Sequence, residues 1–323
     1  MPNAIRIHST GGPDVLCWEE IVLGRPGPGE ARIGQTAVGL NFIDVYHRSG
    51  LYSLPLPAVI GSEAVGIVEE VGAGVTDVRP GDRVAYAGVV GAYAQARLIA
   101  ADRLVPLPAG IDDMTAAAAM LKGMTAQYLL RRTCRVEPGD AVLIHAAAGG
   151  VGLIACQWAA HLGATVIGTV STDAKAALAR AHGCEHPIVT GREDFVARVK
   201  EITGGRGVRV AYDSVGKDTW DGSLDCIRPL GLMVSYGNSS GPVPPISPLV
   251  LSAKGSLFLT RPTLMAYTAR REDLLATAAE LFEVIESGAV RIEVTRTHPL
   301  AEAAAAHRDL EARRTTGSTV LIP

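Results

Sequence analysis

The chain has 323 residues, 48% of them hydrophobic, with 30 Lys and Arg against 33 Asp and Glu for a formal net charge of −3. That length exceeds what one hydrophobic core ordinarily serves and implies two domains, while the near-balanced charge gives no ground for nucleic acid or an anionic membrane as principal partner. The five scattered cysteines, never in C-x-x-C spacing, argue against a disulfide framework or a cysteine zinc site. The start Met1-Pro-Asn-Ala-Ile-Arg6 has no basic segment followed by an apolar one, and no apolar stretch is long enough for a bilayer, so a cytoplasmic location is expected.

Residues 1–123 read as an all-β domain. Ala4–His8, Val15–Val22 and Ala31–Val38 alternate like strands, separated by Gly11-Gly-Pro13 and Arg25-Pro-Gly-Pro-Gly29. Phe42–Ser49 suits a short helix, Gly61–Val71 a strand pair continuing to Pro80–Val84, and Asp112–Leu121 a helix with acids in its first turn. Over 124–262 strands alternate with helices: Ala141–His145, Thr165–Val170, Pro187–Val189, Val208–Tyr212, Leu230–Tyr236 and Ser256–Thr260. This pattern predicts an α/β fold, a doubly wound parallel sheet with helices on both faces. Residues 263–323 hold helices near 271–287 and 300–313 and a last strand, Ser318–Ile322, expected to return to the first domain.

The most informative stretch is Asp140-Ala-Val-Leu-Ile-His-Ala-Ala-Ala-Gly-Gly-Val-Gly152. It reads as strand, tight turn and helix. Ala147, Gly149 and Gly152 fall where a dinucleotide fingerprint expects its glycines, with alanine at the first. Gly149 is expected to let backbone approach a pyrophosphate and Gly152 to let helix pack on strand, with the free N–H groups of the helix start open to an anion. The plainer reading is an ordinary turn into a core helix, but the second buried strand, Thr165–Val170, completes a βαβ unit. Where that strand ends, an NAD site would place an acid for the ribose. Here stand Ser171 and Thr172, with Lys175 close behind. Hydroxyls and a cation suit a 2′-phosphate, so NADPH is expected over NADH. Asp173 is either the acid displaced or the N-cap of the next helix.

Asn41-Phe-Ile-Asp-Val-Tyr-His-Arg-Ser-Gly-Leu-Tyr52, Gly61-Ser-Glu-Ala-Val-Gly66, Lys122-Gly-Met-Thr125, His145–Gly152, Tyr212-Asp-Ser-Val-Gly216 and Tyr236-Gly-Asn-Ser-Ser-Gly241 together resemble the zinc-independent NADPH:quinone oxidoreductases. These are zeta-crystallin-like members of the medium-chain dehydrogenase/reductase superfamily, and the resemblance runs from end to end. It implies a GroES-like β domain, a Rossmann domain and a cleft between them. It also implies that Phe42, Ile43, Asp44, Val45, Tyr46 and Tyr128 line the nicotinamide side, and that Gly150 and Val151 meet the pyrophosphate. Ser171, Thr172, Asp173, Ala174 and Lys175 would surround the 2′-phosphate. Ser214, Tyr236, Gly237, Asn238 and Ser239 would border the cofactor, and Arg261, Pro262 and Arg313 would close over it. Close relatives often carry a tyrosine near the 2′-phosphate where this chain has Gly191; the following Arg192 offers a guanidinium in its place.

Zinc-dependent relatives carry Cys and His ligands where this chain has Asn41 and Ser62, so no metal is expected and alcohol oxidation is disfavoured. A quinone accepts hydride or single electrons with little acid–base help, and the site need only hold a flat apolar acceptor against the nicotinamide. Tyr46 and Tyr52 are candidates to hydrogen-bond a quinone oxygen, against the alternative of rim or core aromatics; Asn41 is a candidate to orient the nicotinamide ribose or substrate. His145 and His47 have no spaced ligand partner and read as packing or surface residues. Two alternatives to quinone reduction stand: NADPH-dependent reduction of activated C=C bonds, and a non-catalytic or RNA-binding role, for which no basic stripe or RNA module is present. Ser256–Thr260 reads as an apolar edge strand that invites a homodimer.

Overall fold

The alternating segments of the first third build a largely antiparallel sheet, because each strand has one apolar face to bury. In the computed structural model, which describes residues 1–323, the strands run in the order Val294–Pro299, Ser318–Ile322, Glu30–Gly39, Glu63–Val71, Arg83–Ala87 and Val105–Pro106, with Ala96–Ala100 also on Glu30–Gly39. The last strand of the chain joins this sheet through Val320 and Leu321, antiparallel to Gly39 and Val38. A smaller sheet holds Cys17–Glu20, Asn3–Ile7 and Ala58–Val59. The core between these strands contains Ile5, Ile33, Val68, Tyr86, Tyr93 and Leu104, joined by Leu300 from the C-terminal segment. Met1–Met124, Thr268–Glu286 and Ile292–Pro323 together form this unit.

The second unit, Thr125–Tyr267 with Ser287–Arg291, is built on six parallel strands. Their order is His186–Val189, Thr165–Val170, Ala141–Ile144, Val208–Asp213, Ile227–Ser235 and Phe258–Thr260. Numbered along the unit, this is the 3-2-1-4-5-6 order of the doubly wound dinucleotide fold. Leu143, Ile167, Ile188, Val199, Ala211, Trp220 and Met233 form one of its buried clusters. Strand order reverses between Ala141–Ile144 and Val208–Asp213, and ligands of such sheets gather beyond the carboxyl ends at that point. No helix of the chain is long and apolar enough to cross a membrane.

Three elements depart from their sequence pattern for local reasons. The helix expected over 112–121 runs from Asp113 to Tyr128 and ends in a π turn, Leu129–Thr133. Gly123, inside this helix, is a close-approach point: a Cβ there would lie 2.4 Å from Leu281 Cδ1, on the helix Arg271–Glu286. Ser256 sits in the left-handed region at φ +57°, so the last parallel strand starts at Phe258. Leu230, at φ +61°, lies within Ile227–Ser235, and that strand's pairing with Val208–Asp213 shifts register between Val208 and Val210.

Candidate functional site

The strand Ala141–Ile144 leads through Ala146–Gly149 into the helix Gly150–His161. The turn is tight enough to hold Ala146 at φ +53°, and its carbonyl accepts the Gly149 N–H at 2.8 Å. A Cβ on Gly152 would stand 2.2 Å from that same Ala146 oxygen, so only glycine admits this packing. No side chain caps the helix start, and Gly150 and Val151 are half-exposed. Its first N–H groups and the positive end of its dipole are therefore available to an anion. The next helix, Asp173–Ala181, is by contrast capped by Thr172 Oγ1, which accepts the Lys175 N–H at 3.3 Å.

That cap decides one of the two readings of Asp173: the capping residue is Thr172, because Asp173 already has helical geometry. The Asp173 carboxylate instead pairs with Arg192, at 2.7 and 3.0 Å. Ser171, Thr172, Asp173 and Ala174 are exposed, with Lys175 half-buried. A side chain at Gly191 would meet nothing within 4 Å, so the space beside Arg192 is open.

Beyond the later strands, Asp213 organises the loops. Its Oδ1 accepts the N–H groups of Val215 and Gly216 at 2.8 and 2.9 Å. Its Oδ2 accepts the Thr219 and Ser223 hydroxyls at 2.7 and 2.8 Å. Because Ser223 donates to Asp213, its oxygen accepts from His145 Nε2, leaving Nδ1 to accept the Thr169 hydroxyl, each at 2.8 Å. Burial pushes His145 below its usual range, so the ring is neutral as this tautomer requires. Ser239 and Ser240 N–H then donate to the Ser214 and Val215 carbonyls at 3.2 and 2.9 Å, which brings Ser214 beside the Tyr236–Ser239 loop. Arg261, exposed, and Pro262, buried, follow the strand Phe258–Thr260. Tyr128 is only 2% exposed and stacks on Tyr267, ring centroids 4.6 Å apart and 13° from parallel. Burial, then Tyr236, pushes its phenol well up. Tyr267, in turn covered by Arg132 at 5.2 Å, carries no motif that marks it in the sequence.

In the other unit the helix Phe42–Ser49 begins at Asn41, whose backbone N–H donates to Asp44 Oδ2 at 2.9 Å, the acidic half of a capping box. The Asn41 amide donates to Glu63 Oε1 at 2.8 Å, and Lys122 Nζ meets the same oxygen at 2.8 Å. Ser62 donates to Asp44 Oδ1 at 2.7 Å and Tyr93 to its Oδ2 at 3.0 Å. All of these groups are buried. Phe42 and Ile43 are half-exposed, whereas Asp44 and Val45 face inward. Tyr46, 7% exposed, touches the rings of Phe42 and Tyr52 at 5.5 and 5.1 Å. The two candidate tyrosines are thus brought together, and His47 lies edge-on to Tyr52 at 6.0 Å. Arg313 follows the helix Ala303–Glu311 in the left-handed region, at φ +58°. Sequence reasoning passed over Glu63, Lys122, Tyr93 and His307; the one available signal is that Glu63 and Lys122 are charges set in apolar runs.

At Asn41 and Ser62 a carboxamide and a hydroxyl already donate to carboxylates, and no cluster of three or more His, Cys, Asp or Glu is arranged to hold an ion. That donor set does not fit zinc. The unblocked helix start and the open polar strand end at Ser171–Lys175 do fit a phosphorylated dinucleotide.

Two family models match the chain: the alcohol dehydrogenase GroES-like domain over residues 27–109 and the zinc-binding dehydrogenase over residues 150–283. A quinone oxidoreductase of Pseudomonas aeruginosa is 54% identical, covering 100% of both chains. A 2-haloacrylate reductase of a Burkholderia species is 51% identical, covering 100% of this chain and 99% of its own. The crystal structure of Escherichia coli quinone oxidoreductase complexed with NADPH superposes with a TM-score of 0.98 at 50% identity, covering 99% of this chain and 100% of the other.

Two buried groups set opposing pH dependences of stability. Burial raises Asp44 to about 7, against the pull of Ser62, the Asn41 N–H and Tyr93; burial and then Arg48 lower His307 to about 3. A raised acid keeps in the fold a proton that the unfolded chain releases, so its contribution is full below about pH 4 and is lost as pH rises through about 7. A lowered histidine refuses a proton that the unfolded chain accepts, so its contribution is lost as pH falls from about 6.5 toward 3. Between about pH 4 and 6.5 the two slopes oppose each other. Asp44→Asn is expected to unmask a rise in urea midpoint across that window; an unchanged profile relative to wild type would show that Asp44 does not titrate there.

Proposed function

Because the chain belongs to the quinone oxidoreductase family of the medium-chain dehydrogenase/reductase superfamily, we propose that it is an enzyme reducing quinones at the expense of NADPH, without a metal ion. The observation that carries this reading is the full-length match, at 50% identity, to a quinone oxidoreductase crystallised with NADPH. When bound, the dinucleotide supplies the reducing equivalents. The chain's own residues bind and orient. We assign its dinucleotide-binding domain to residues 124–262, flanked by catalytic-domain segments 1–123 and 263–323.

Gly149, Gly150, Val151 and Gly152 receive the pyrophosphate on backbone N–H groups. Ser171, Thr172, Lys175 and Arg192 receive the 2′-phosphate, with Asp173 and Ala174 completing that edge. Ser214 and Tyr236–Ser239, held by the Asp213 network, border the nicotinamide half, with Tyr128 as an aromatic backing. Phe42, Ile43 and Tyr46 offer an apolar and aromatic surface for a flat acceptor, a positioning role. Arg261, Pro262 and Arg313 contribute to closing over the cofactor. Five free cysteines, four of them buried, support a cytoplasmic setting.

The similarity to the 2-haloacrylate reductase favours one second reading, reduction of an activated C=C bond. Following NADPH oxidation with an ortho-quinone and with an enone or 2-haloacrylate separates the two, and turnover of the alkene alone would replace the quinone reading.

Arg192 is neutralised by Asp173 at 2.7 Å on an exposed edge, where a pair is worth at most about 1 kcal/mol. Asp173→Asn is therefore expected to raise the preference for NADPH over NADH by about threefold to fivefold, and Arg192→Ala to lower it by at least as much. Michaelis constants for both cofactors check this. If either Tyr46 or Tyr52 donates a proton to the acceptor, its phenylalanine variant loses about 100-fold in turnover; wild-type rates in both variants would assign protonation to solvent. The strand Phe258–Thr260 pairs on one side only, and Phe258 is 62% exposed, so we propose a homodimer formed along this edge. Light scattering should report a dimer for the wild type and a monomer for Phe258→Asp.

A further inference from the structure

Behind the helix Phe42–Ser49 runs a chain of hydrogen bonds whose direction is forced at each link. The Glu311 carboxylate accepts both ends of the Arg48 guanidinium, at 2.9 and 2.7 Å. Arg48 Nη1 also lies 3.2 Å from His307 Nδ1. A guanidinium has no acceptor, so Nδ1 accepts and the ring hydrogen sits on Nε2. Nε2, 3.0 Å from the Tyr93 oxygen, therefore donates to it. The Tyr93 hydrogen then goes to Asp44 Oδ2, 3.0 Å away.

Asp44 is where the donors converge. Its carboxylate receives Tyr93, the Asn41 backbone N–H at 2.9 Å and the Ser62 hydroxyl at 2.7 Å, and the side chain is 0% exposed. Oδ2 already accepts two donors, so a proton there displaces Tyr93 or the Asn41 N–H, while a proton on Oδ1 leaves a lone pair for Ser62 but removes the charge that strengthens all three bonds. The Asn41 contact fixes the start of the helix, and Tyr46 sits within the same helix.

We infer that Asp44 is a positioning residue whose anionic form turnover requires, because the anion holds every donor that fixes Asn41 and the helix bearing Tyr46 through charge-assisted hydrogen bonds, about twice as strong as those a neutral acid accepts. The inference rests on the proposed placing of Asn41 and Tyr46 against the nicotinamide and its acceptor.

The surrounding charges leave Asp44 as the group that responds near neutrality. Burial and the Glu63 carboxylate oppose its ionisation while its donors favour it, with a balance at about 7. His307, lowered to about 3, stays neutral. Arg48 is paired with Glu311 and Lys122 with Glu63. Tyr86 and Tyr93, both raised by burial, remain protonated.

The test is steady-state oxidation of NADPH by an ortho-quinone, phenanthrenequinone, from about pH 5.5 to 8.5. Wild-type kcat is expected to rise about tenfold across about pH 7, with KM for NADPH changing less than about twofold. Asp44→Asn, whose amide mimics the protonated acid, is expected to hold the low kcat at every pH. Ser62→Ala removes one donor and is expected to move the midpoint upward by about half to one pH unit with the high-pH plateau retained. A purely structural role would lower the plateau without moving the midpoint. A folded Asp44→Asn enzyme with the wild-type profile overturns the inference; should that variant not fold, an unmoved midpoint in Ser62→Ala overturns it. Quinone turnover that is present but flat with pH removes this inference alone, whereas no turnover at any pH removes the functional reading and this one together.

Discussion

The contact between Gly152 and the Ala146 carbonyl oxygen sets the geometry on which the cofactor half depends. A side chain on residue 152 would stand 2.2 Å from that oxygen, so the helix Gly150–His161 can lie against the end of its strand only with hydrogen there. That steric fact locks the helix axis to the sheet, and because the N-cap residue is Gly149 the helix start has no side-chain cap, which leaves backbone donors for an anion. The left-handed Ala146, at φ +53°, costs on the order of 1 kcal/mol for a residue with a Cβ. The bonds of the turn and the buried strand behind it hold it there.

Each unit then secures its working loops with a buried polar chain of fixed direction. In the parallel-sheet unit the order is Thr169 to His145 to Ser223 to Asp213. In the other it is Arg48 to His307 to Tyr93 to Asp44. In both a neutral histidine passes the direction along and a carboxylate ends it. Both carboxylates also accept backbone N–H groups of the segments proposed to meet the cofactor or acceptor. Low-dielectric surroundings make such chains rigid when every member is satisfied and costly when one is missing. The Asn41–Glu63–Lys122 cluster adds a third buried network.

Much of this was legible from residue order alone. Apolar runs alternating with helical periods over 124–262 predicted the parallel sheet, whose observed order is doubly wound. The Ala-Gly-Gly-Val-Gly run predicted the strand-to-helix turn, because its small residues have few other uses at such a junction. Other features were masked by the same local rules. Gly123 lies beyond the helix expected over 112–121, yet it belongs to that helix and serves a neighbouring one 158 positions away in the chain, at Leu281. Asp173 reads as a ribose acid or a cap, yet Thr172 caps and Asp173 pairs with Arg192.

Residue order by itself determined the element types, the strand-to-helix turn before Gly150 and the hydroxyl-and-cation edge at Ser171–Lys175, because each depends on neighbours within a few positions. Only the tertiary structure decided what Asp44, His307 and Tyr93 do. Asp44 and His307 stand 263 positions apart, as do Arg48 and Glu311 at the far end of the same chain of bonds, and a hydrogen bond's direction and a carboxylate's desolvation come into being only when folding brings such distant groups together away from water.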